Sequence, residues 1–241
     1  AYEAGTRHPT RANLQAALTT LHASRAESNE ALLSAGFAPV EPLGVPEGAR
    51  AYYSLDSLEE LISRYQWPVF GVDDRGDLAV VNTPFQALFG VDLTQEYTRP
   101  AERNLLALAT TKRFAEHFDN WDELVKILIS TWLGSWYQPA SVEEPRPHFG
   151  HGVDEFFEGD PAYVARGTSL WAGTDLIPNR KRWDYPVAWR DDEVGPVRFV
   201  AVVLTGDDPR VPVSINDWIP ADAASWQAMD VINARWHGRH S

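Results

Sequence analysis

Histidine and carboxylate side chains fall close together at two places in this chain. His148 and His151 flank Phe149-Gly150, with Asp154 and Glu155 following, and His237 with His240 forms a second pair. Nitrogen and oxygen donors so spaced are the raw material of a metal site, but both groups sit in glycine-containing segments without the sharper ligand spacing of zinc centres. No metal is therefore expected. A lone His117 as a haem ligand is weaker still. Acidic pairs at Asp73-Asp74, Glu143-Glu144 and Asp191-Asp192 would serve general acid–base chemistry only if burial shifted their proton affinity, and their turn and loop contexts leave them solvated. There is no nucleophile elbow, phosphate-binding glycine loop or metal-binding helix, so an enzyme is not expected and no catalytic residue is named.

Composition narrows the remaining classes. The 241 residues are 44% hydrophobic, enough to bury one substantial core, and the net charge of -13 argues against nucleic-acid binding by the bulk of the chain, since such binding neutralises phosphates. Residues 1–50 hold four Arg and five acidic residues, so nearly all the excess lies downstream. The absence of cysteine removes disulfides, thiolate metal sites, Cys nucleophiles and the cysteinyl adduct of flavin photosensors, and suits a cytoplasmic protein. No apolar run approaches membrane-spanning length and no charged-then-apolar leader opens the chain. Ten Trp, ten Phe and eight Tyr either fill the core or line an apolar ligand cavity.

The elements that would position these rings can be read from periodicity. Thr10 caps a helix with Leu14, Ala17, Leu18 and Leu21 on one face, and a second short helix carries Ala31, Leu32 and Leu33 and ends at Gly36. Residues 41–50 hold two prolines and two glycines without periodicity, which marks a linker between residues 1–40 and a second domain at 51–241. Residues 54–65 read as an amphipathic helix through Leu55, Leu58, Leu61, Ile62 and Tyr65. Pro68 to Val72 and Leu78 to Val81 form two strands around an Asp73–Gly76 turn, and Asn82 starts a helix with Phe85, Leu88 and Phe89 that Gly90 stops. Late in the chain, Tyr185–Trp189, Val197–Leu204 and Val211–Ile215 are strand-like, separated by turn segments at 191–195 and 206–209. Val197–Leu204, apolar on both faces apart from Arg198, should be a central strand. Trp121 to Trp132 is a helix with apolar residues at 121, 124, 125, 128, 129 and 132, and Asn120 with Glu123 has the form of a capping box. A last helix spans Asp222 to Trp236; Trp226, Met229, Ile232 and Trp236 would supply an interface or cover the sheet.

Strand, Asp/Gly turn, strand, Asn, amphipathic helix, Gly, then three late strands resembles a PAS domain. The fold class this implies is α+β: a PAS-like five-stranded antiparallel sheet with flanking helices. The opening segment, Tyr2 to Arg11 with the two leucine-bearing helices ending in Leu32-Leu33-Ser34-Ala35-Gly36-Phe37-Ala38-Pro39, resembles the end of an all-α XRE-type helix-turn-helix, most of which would lie upstream of Ala1. Arg103-Asn104-Leu105-Leu106-Ala107-Leu108, Arg113, Trp121-Asp122-Glu123 and Glu193-Val194-Gly195-Pro196 look like the ligand-binding domain of MmyB-like transcription regulators. The chain departs from that pattern at Thr131-Trp132, across 134–183, and in the added C-terminal helix.

The resemblance implies a ligand-responsive, DNA-binding regulator, a cytoplasmic homodimer with no membrane contact, whose PAS-like domain holds a long-chain fatty acid. No cofactor is required. Fourteen carbons would contribute on the order of 10 kcal/mol at ~0.8 kcal/mol per methylene before ordering costs. The walls it implies are Phe70, Phe85, Phe89, Leu105, Leu108, Leu128, Trp132, Phe199, Ala201 and Val203, with Arg103, Asn104 or Arg113 as donor to the carboxylate. Thr6, Arg7 and Arg11 would touch DNA phosphates. Two alternatives stay open at this level, a ligand-free dimerisation or protein-interaction module with a packed interior, and a flavin or haem sensor.

Overall fold

A computed structural model describes residues 9–23, 25–37, 54–73, 75–136, 149–174, 182–205 and 213–240, the side chains of 25, 26, 100, 101, 132–136, 149–152 and 240 excepted. The chain divides into two compact units, Ala1–Ala51 and Tyr52–Ser241.

The first unit holds α1 (Arg11–Thr20) and α2 (Arg25–Ser34). Thr10 caps α1 by accepting from the Asn13 N–H at 3.3 Å. His22 closes α1 in the left-handed region (φ 53), and Gly36 (φ 77) closes α2 while the Phe37 N–H bonds back to the Leu32 carbonyl at 2.8 Å. No residue of α1 is buried, so its predicted apolar face is only partly covered, whereas Leu32 of α2 is fully buried. Arg11 opens α1 and is exposed; Thr6 and Arg7 lie outside the described residues.

The second unit is built on one sheet. Its strands are β1 (Val69–Val72), β2 (Leu78–Val81), β3 (Arg182–Asp191), β4 (Gly195–Thr205) and β5 (Ser214–Pro220). They lie in the order β2-β1-β5-β4-β3 with every neighbouring pair antiparallel, the PAS-like α+β arrangement expected. The helices α3 (Leu55–Ile62), α4 (Thr83–Phe89), α5 (Leu93–Glu96), α6 (Leu105–Thr110), α7 (Lys112–Ala115), α8 (Trp121–Trp136), α9 (Phe149–Phe157), α10 (Pro161–Trp171) and α11 (Ala223–His240) flank it. None of the helices among the described residues is long and apolar enough to cross a membrane.

Local chemistry explains the first half well. The Asp73 carboxylate accepts from the Arg75 and Asp77 N–H groups, and Gly76 (φ 89) supplies the conformation that turns β1 into β2. Asn82 caps α4 through the Phe85 N–H, and Gly90 (φ 61) ends it. Leu58 and Ile62 of α3 pack on one sheet face with Val69, Val80 and Val213. The opposite, inner face carries Phe70, Tyr185, Val187, Trp189, Phe199, Ala201, Val203 and Trp218, and it holds the main core with α4, α8 and α11. Met229, Ile232 and Trp236 belong to that core, so α11 covers the sheet rather than projecting as a free arm, although Trp226 stays 38% exposed.

Three expectations shift. The last strand runs Ser214–Pro220 rather than Val211–Ile215, because Asn216 and Asp217, polar residues at which the apolar run stops, pair with β1 on one side and β4 on the other. Trp67 donates its indole N–H to the Asp217 carboxylate, which offsets the cost of half-burying it; burial nonetheless raises the Asp217 proton affinity. β4 is central as expected, yet its residues alternate, leaving Val200 and Leu204 exposed. Finally, Asn120 stands at the start of α8 as expected, its carbonyl accepting from the Leu124 N–H at 3.2 Å, but its side chain does not cap the helix. Its amide donates to the Pro186 carbonyl at 3.0 Å and accepts from the Ala188 N–H at 2.9 Å, clamping the outer edge of β3.

α6, α8, α9 and α10 form a second core around Phe156, Trp121 and Ile129. Its tightest approach is at Gly159, where an added Cβ would lie 2.3 Å from the Thr110 Oγ1 and 2.9 Å from the Thr110 carbonyl oxygen. Thr110 is fully buried and donates to the Phe156 carbonyl at 3.0 Å. Gly159→Ala should therefore lower stability by about 2 kcal/mol through overpacking and the strained hydrogen bond, measured as a reduced urea midpoint at unchanged m-value.

Candidate functional site

Between the inner sheet face and the helices lies an apolar cavity of about 70 Å³. Phe70, Tyr185 and Trp218 form its floor; Phe85 and Phe89 of α4 and Phe114 of α7 form one wall. Leu105, Leu108 and Ala109 of α6 face Leu124, Val125, Ile127 and Leu128 of α8 across it, with Phe118 and Trp121 at the junction. Of these, Leu105, Phe118, Ile127 and Leu128 keep partial exposure.

The rings are fixed by one another. Phe70 and Phe85 sit 4.5 Å apart, and Trp218 meets Phe70, Phe85 and Phe118 edge-on at 5.4, 5.7 and 6.0 Å. Trp121 is anchored by its N–H donating to the Ala109 carbonyl at 2.8 Å, with the Arg166 guanidinium 4.8 Å above its ring. A core of rings locked edge to face cannot collapse as aliphatic chains do. A dry void of this size costs roughly 1.7 kcal/mol at ~24 cal/mol per Å³, so the interior is not packed to closure.

No protein-family model and no curated protein matches this sequence. The site must be judged on its own geometry.

Of the residues read from the sequence as ligand contacts, Phe70, Phe85, Phe89, Leu105, Leu108 and Leu128 line the cavity. Phe199, Ala201 and Val203 are buried on the inner sheet face but are not among its walls, and the Trp132 side chain lies outside the described residues.

The polar candidates are elsewhere. Asn104 spends its amide on the Arg75 carbonyl, the Asp77 carboxylate and the Leu106 N–H, fastening α6 to the β1–β2 turn. Arg113 pairs with Glu96 at 2.7 Å and donates to the Gly90 carbonyl on the surface. Arg103 is not a wall either, although its Nε is buried without a hydrogen-bond partner. The polar Asn104 and Arg113 of that motif thus build the scaffold around the cavity, while its Leu105 and Leu108 line it.

Tyr185 and Trp218 line the cavity although the sequence reading does not name them. Period-two alternation along β3 could have exposed Tyr185, but Trp218 was hidden by the misplaced last strand. Burial pushes the Tyr185 phenol up to about 12, so the hydroxyl stays protonated at neutral pH. It donates over a long 3.4 Å to the Asn216 side-chain oxygen, and the Trp218 indole beside it partly offsets the rise.

A groove of about 210 Å³ beside α11 is lined by Asp191, Glu193, Arg235 and Arg239, and Arg235 is already paired with both acids. Among the described residues no group of three or more His, Asp or Glu side chains is placed to hold a metal ion.

Proposed function

We propose that this chain is the sensor portion of a cytoplasmic, homodimeric, DNA-binding transcription regulator, and that its PAS-like domain responds to an apolar molecule held in the aromatic cavity. The cavity carries this reading. It sits at the centre of the domain, between the sheet and the helix whose apolar stripe faces it, and a dimerisation module without a ligand has no need of an unfilled interior. Leu124, Val125 and Leu128 of that stripe are cavity walls.

Cavity size revises the occupant. Sites for extended ligands are roughly 300–1,000 Å³, and the space here is about 70 Å³, so a fourteen-carbon chain fits only if the cavity enlarges or part of the chain leaves past Leu105, Ile127 and Leu128. Binding regulates DNA affinity only if the two arrangements of the regulator hold the ligand with different affinity. Equal operator affinity of the intact regulator with and without ligand would overturn that part.

The binding part is tested by denaturing the purified chain, extracting it with organic solvent and identifying the released molecule by mass spectrometry. A stoichiometric apolar compound supports the reading; an empty extract from a protein that also ignores added apolar probes overturns it. Ala109→Leu places additional methyl groups in the cavity wall. It should weaken ligand binding by about tenfold or more while leaving the thermal midpoint near that of the parent chain, checked by calorimetric titration.

A further inference from the structure

The cavity is apolar except on its floor. Tyr185 of β3 and Trp218 of β5 are both registered opposite Ala201 of β4, so the smallest residue of the inner face lies between two large ones that each carry a polar atom. Trp218 is 5% exposed and its indole Nε1 is buried without a hydrogen-bond partner. A buried N–H left unpaired is costly, and natural interiors rarely retain one unless something else completes it. The neighbouring Tyr185 hydroxyl lies close enough to the Trp218 indole to interact with it, donates over a long 3.4 Å to the Asn216 side-chain oxygen, and retains capacity to accept.

We propose that this floor recognises a single oxygen on a compact uncharged ring, a phenol-like or cyclic-ketone-like molecule, with the Trp218 N–H and the Tyr185 hydroxyl as its partners. The inference rests on the cavity being the ligand site and names the class of ligand. Three observations converge on it. The space, about 70 Å³, is about half of the ~150 Å³ that holds benzene, so one ring enters after a small enlargement whereas a long chain needs a several-fold one. The walls present ring faces and edges, which favour an aromatic or alicyclic body. Among the described residues no cation lines the cavity, so a carboxylate would be desolvated there without a counter-charge.

The test compares probes matched in shape, p-cresol and p-xylene, with 4-methylbenzoate and tetradecanoate, each titrated into the full chain and into its Tyr185→Phe and Trp218→Phe variants. The parent chain should bind p-cresol about tenfold more tightly than p-xylene. Both variants should bring that ratio to within about twofold while p-xylene affinity holds. Tyr185→Phe removes one oxygen only, so the test survives if Trp218→Phe unfolds. Equal binding of p-cresol and p-xylene in the parent overturns the polar recognition and leaves the cavity a ligand site. Tighter binding of either anion, lost in Arg103→Met, overturns the uncharged class in favour of an Arg103-anchored acid. No binding of any of the four overturns both this inference and the proposed sensor.

Discussion

Asn82→Ala is expected to lower the free energy of unfolding by about 3 kcal/mol, a large share of what a domain of this size possesses. The side chain is 2% exposed and makes four bonds that no other residue can replace. Its oxygen accepts from the Val69 N–H at 3.0 Å and the Phe85 N–H at 3.1 Å. Its nitrogen donates to the Ile62 carbonyl at 3.2 Å and the Trp67 carbonyl at 2.8 Å. One amide thus joins the end of α3, the entry to β1 and the start of α4. Alanine leaves three backbone groups, the Val69 and Phe85 N–H and the Trp67 carbonyl, without partners at about 1 kcal/mol each, since the Ile62 carbonyl still accepts from the Tyr65 N–H at 3.1 Å. Asn82→Asp keeps the two accepted bonds but turns a carboxylate toward two carbonyl oxygens, so it should be at least as damaging. Urea titration monitored by tryptophan fluorescence gives the result. A loss below about 1 kcal/mol for the alanine variant would show that water or neighbouring groups satisfy the exposed backbone.

The second large effect concerns Arg235 on α11. Its guanidinium pairs with Asp191 at 2.5 Å and Glu193 at 3.1 Å, the Asp191 side chain being only 7% exposed. Burial by itself raises the Asp191 proton affinity. The Arg235 bond and the N–H groups of Val194 and Glu193 outweigh it and hold the carboxyl at about 2, below its ordinary 3.8. Because the folded value is depressed, the stabilisation is complete above about pH 4 and is lost as the pH falls toward 2. The shift is worth roughly 2.5 kcal/mol. Arg235→Met should therefore cost about 2–4 kcal/mol at pH 7, since it leaves Asp191 buried with two backbone donors and no counter-charge. The gap between variant and parent should narrow at pH 2–3. A pH-independent difference in chemical-denaturation midpoints would assign the loss to packing of the side-chain stem instead.

Where the physical signal was local, the sequence was legible. The Asp73–Gly76 turn, the Asn82 cap, the Gly90 stop and the α3 stripe each depend on residues within one or two turns of one another, and each was readable at the right place. Apolar runs bounded by turn residues likewise marked the positions of β1 and β2 and the interior place of β4. The apolar stripe of α8 identified Leu124, Val125 and Leu128 as one face, and they are cavity walls.

Failures came where a distant partner changed the meaning of a local pattern. Asn120 has a capping residue's chemistry and sequence context, but β3, 66 and 68 residues away, claims its amide. Asn216 and Asp217 have turn propensity, but two flanking strands and Trp67 hold them extended. Arg103, Asn104 and Arg113 have the charge and polarity of a ligand anchor, yet Asn104 and Arg113 are consumed by Asp77 and Glu96, and Arg103 does not face the cavity.

The sequence by itself determined the α+β architecture, because turn chemistry, helix caps and hydrophobic periodicity act over a few residues and need no knowledge of what lies opposite. Tertiary structure alone decided that the interior keeps an aromatic cavity, and that its polar atoms are those of Tyr185 and Trp218. Those two side chains meet only because β3, β4 and β5 align Ala201 between them, a register set by backbone pairing across 33 residues of sequence.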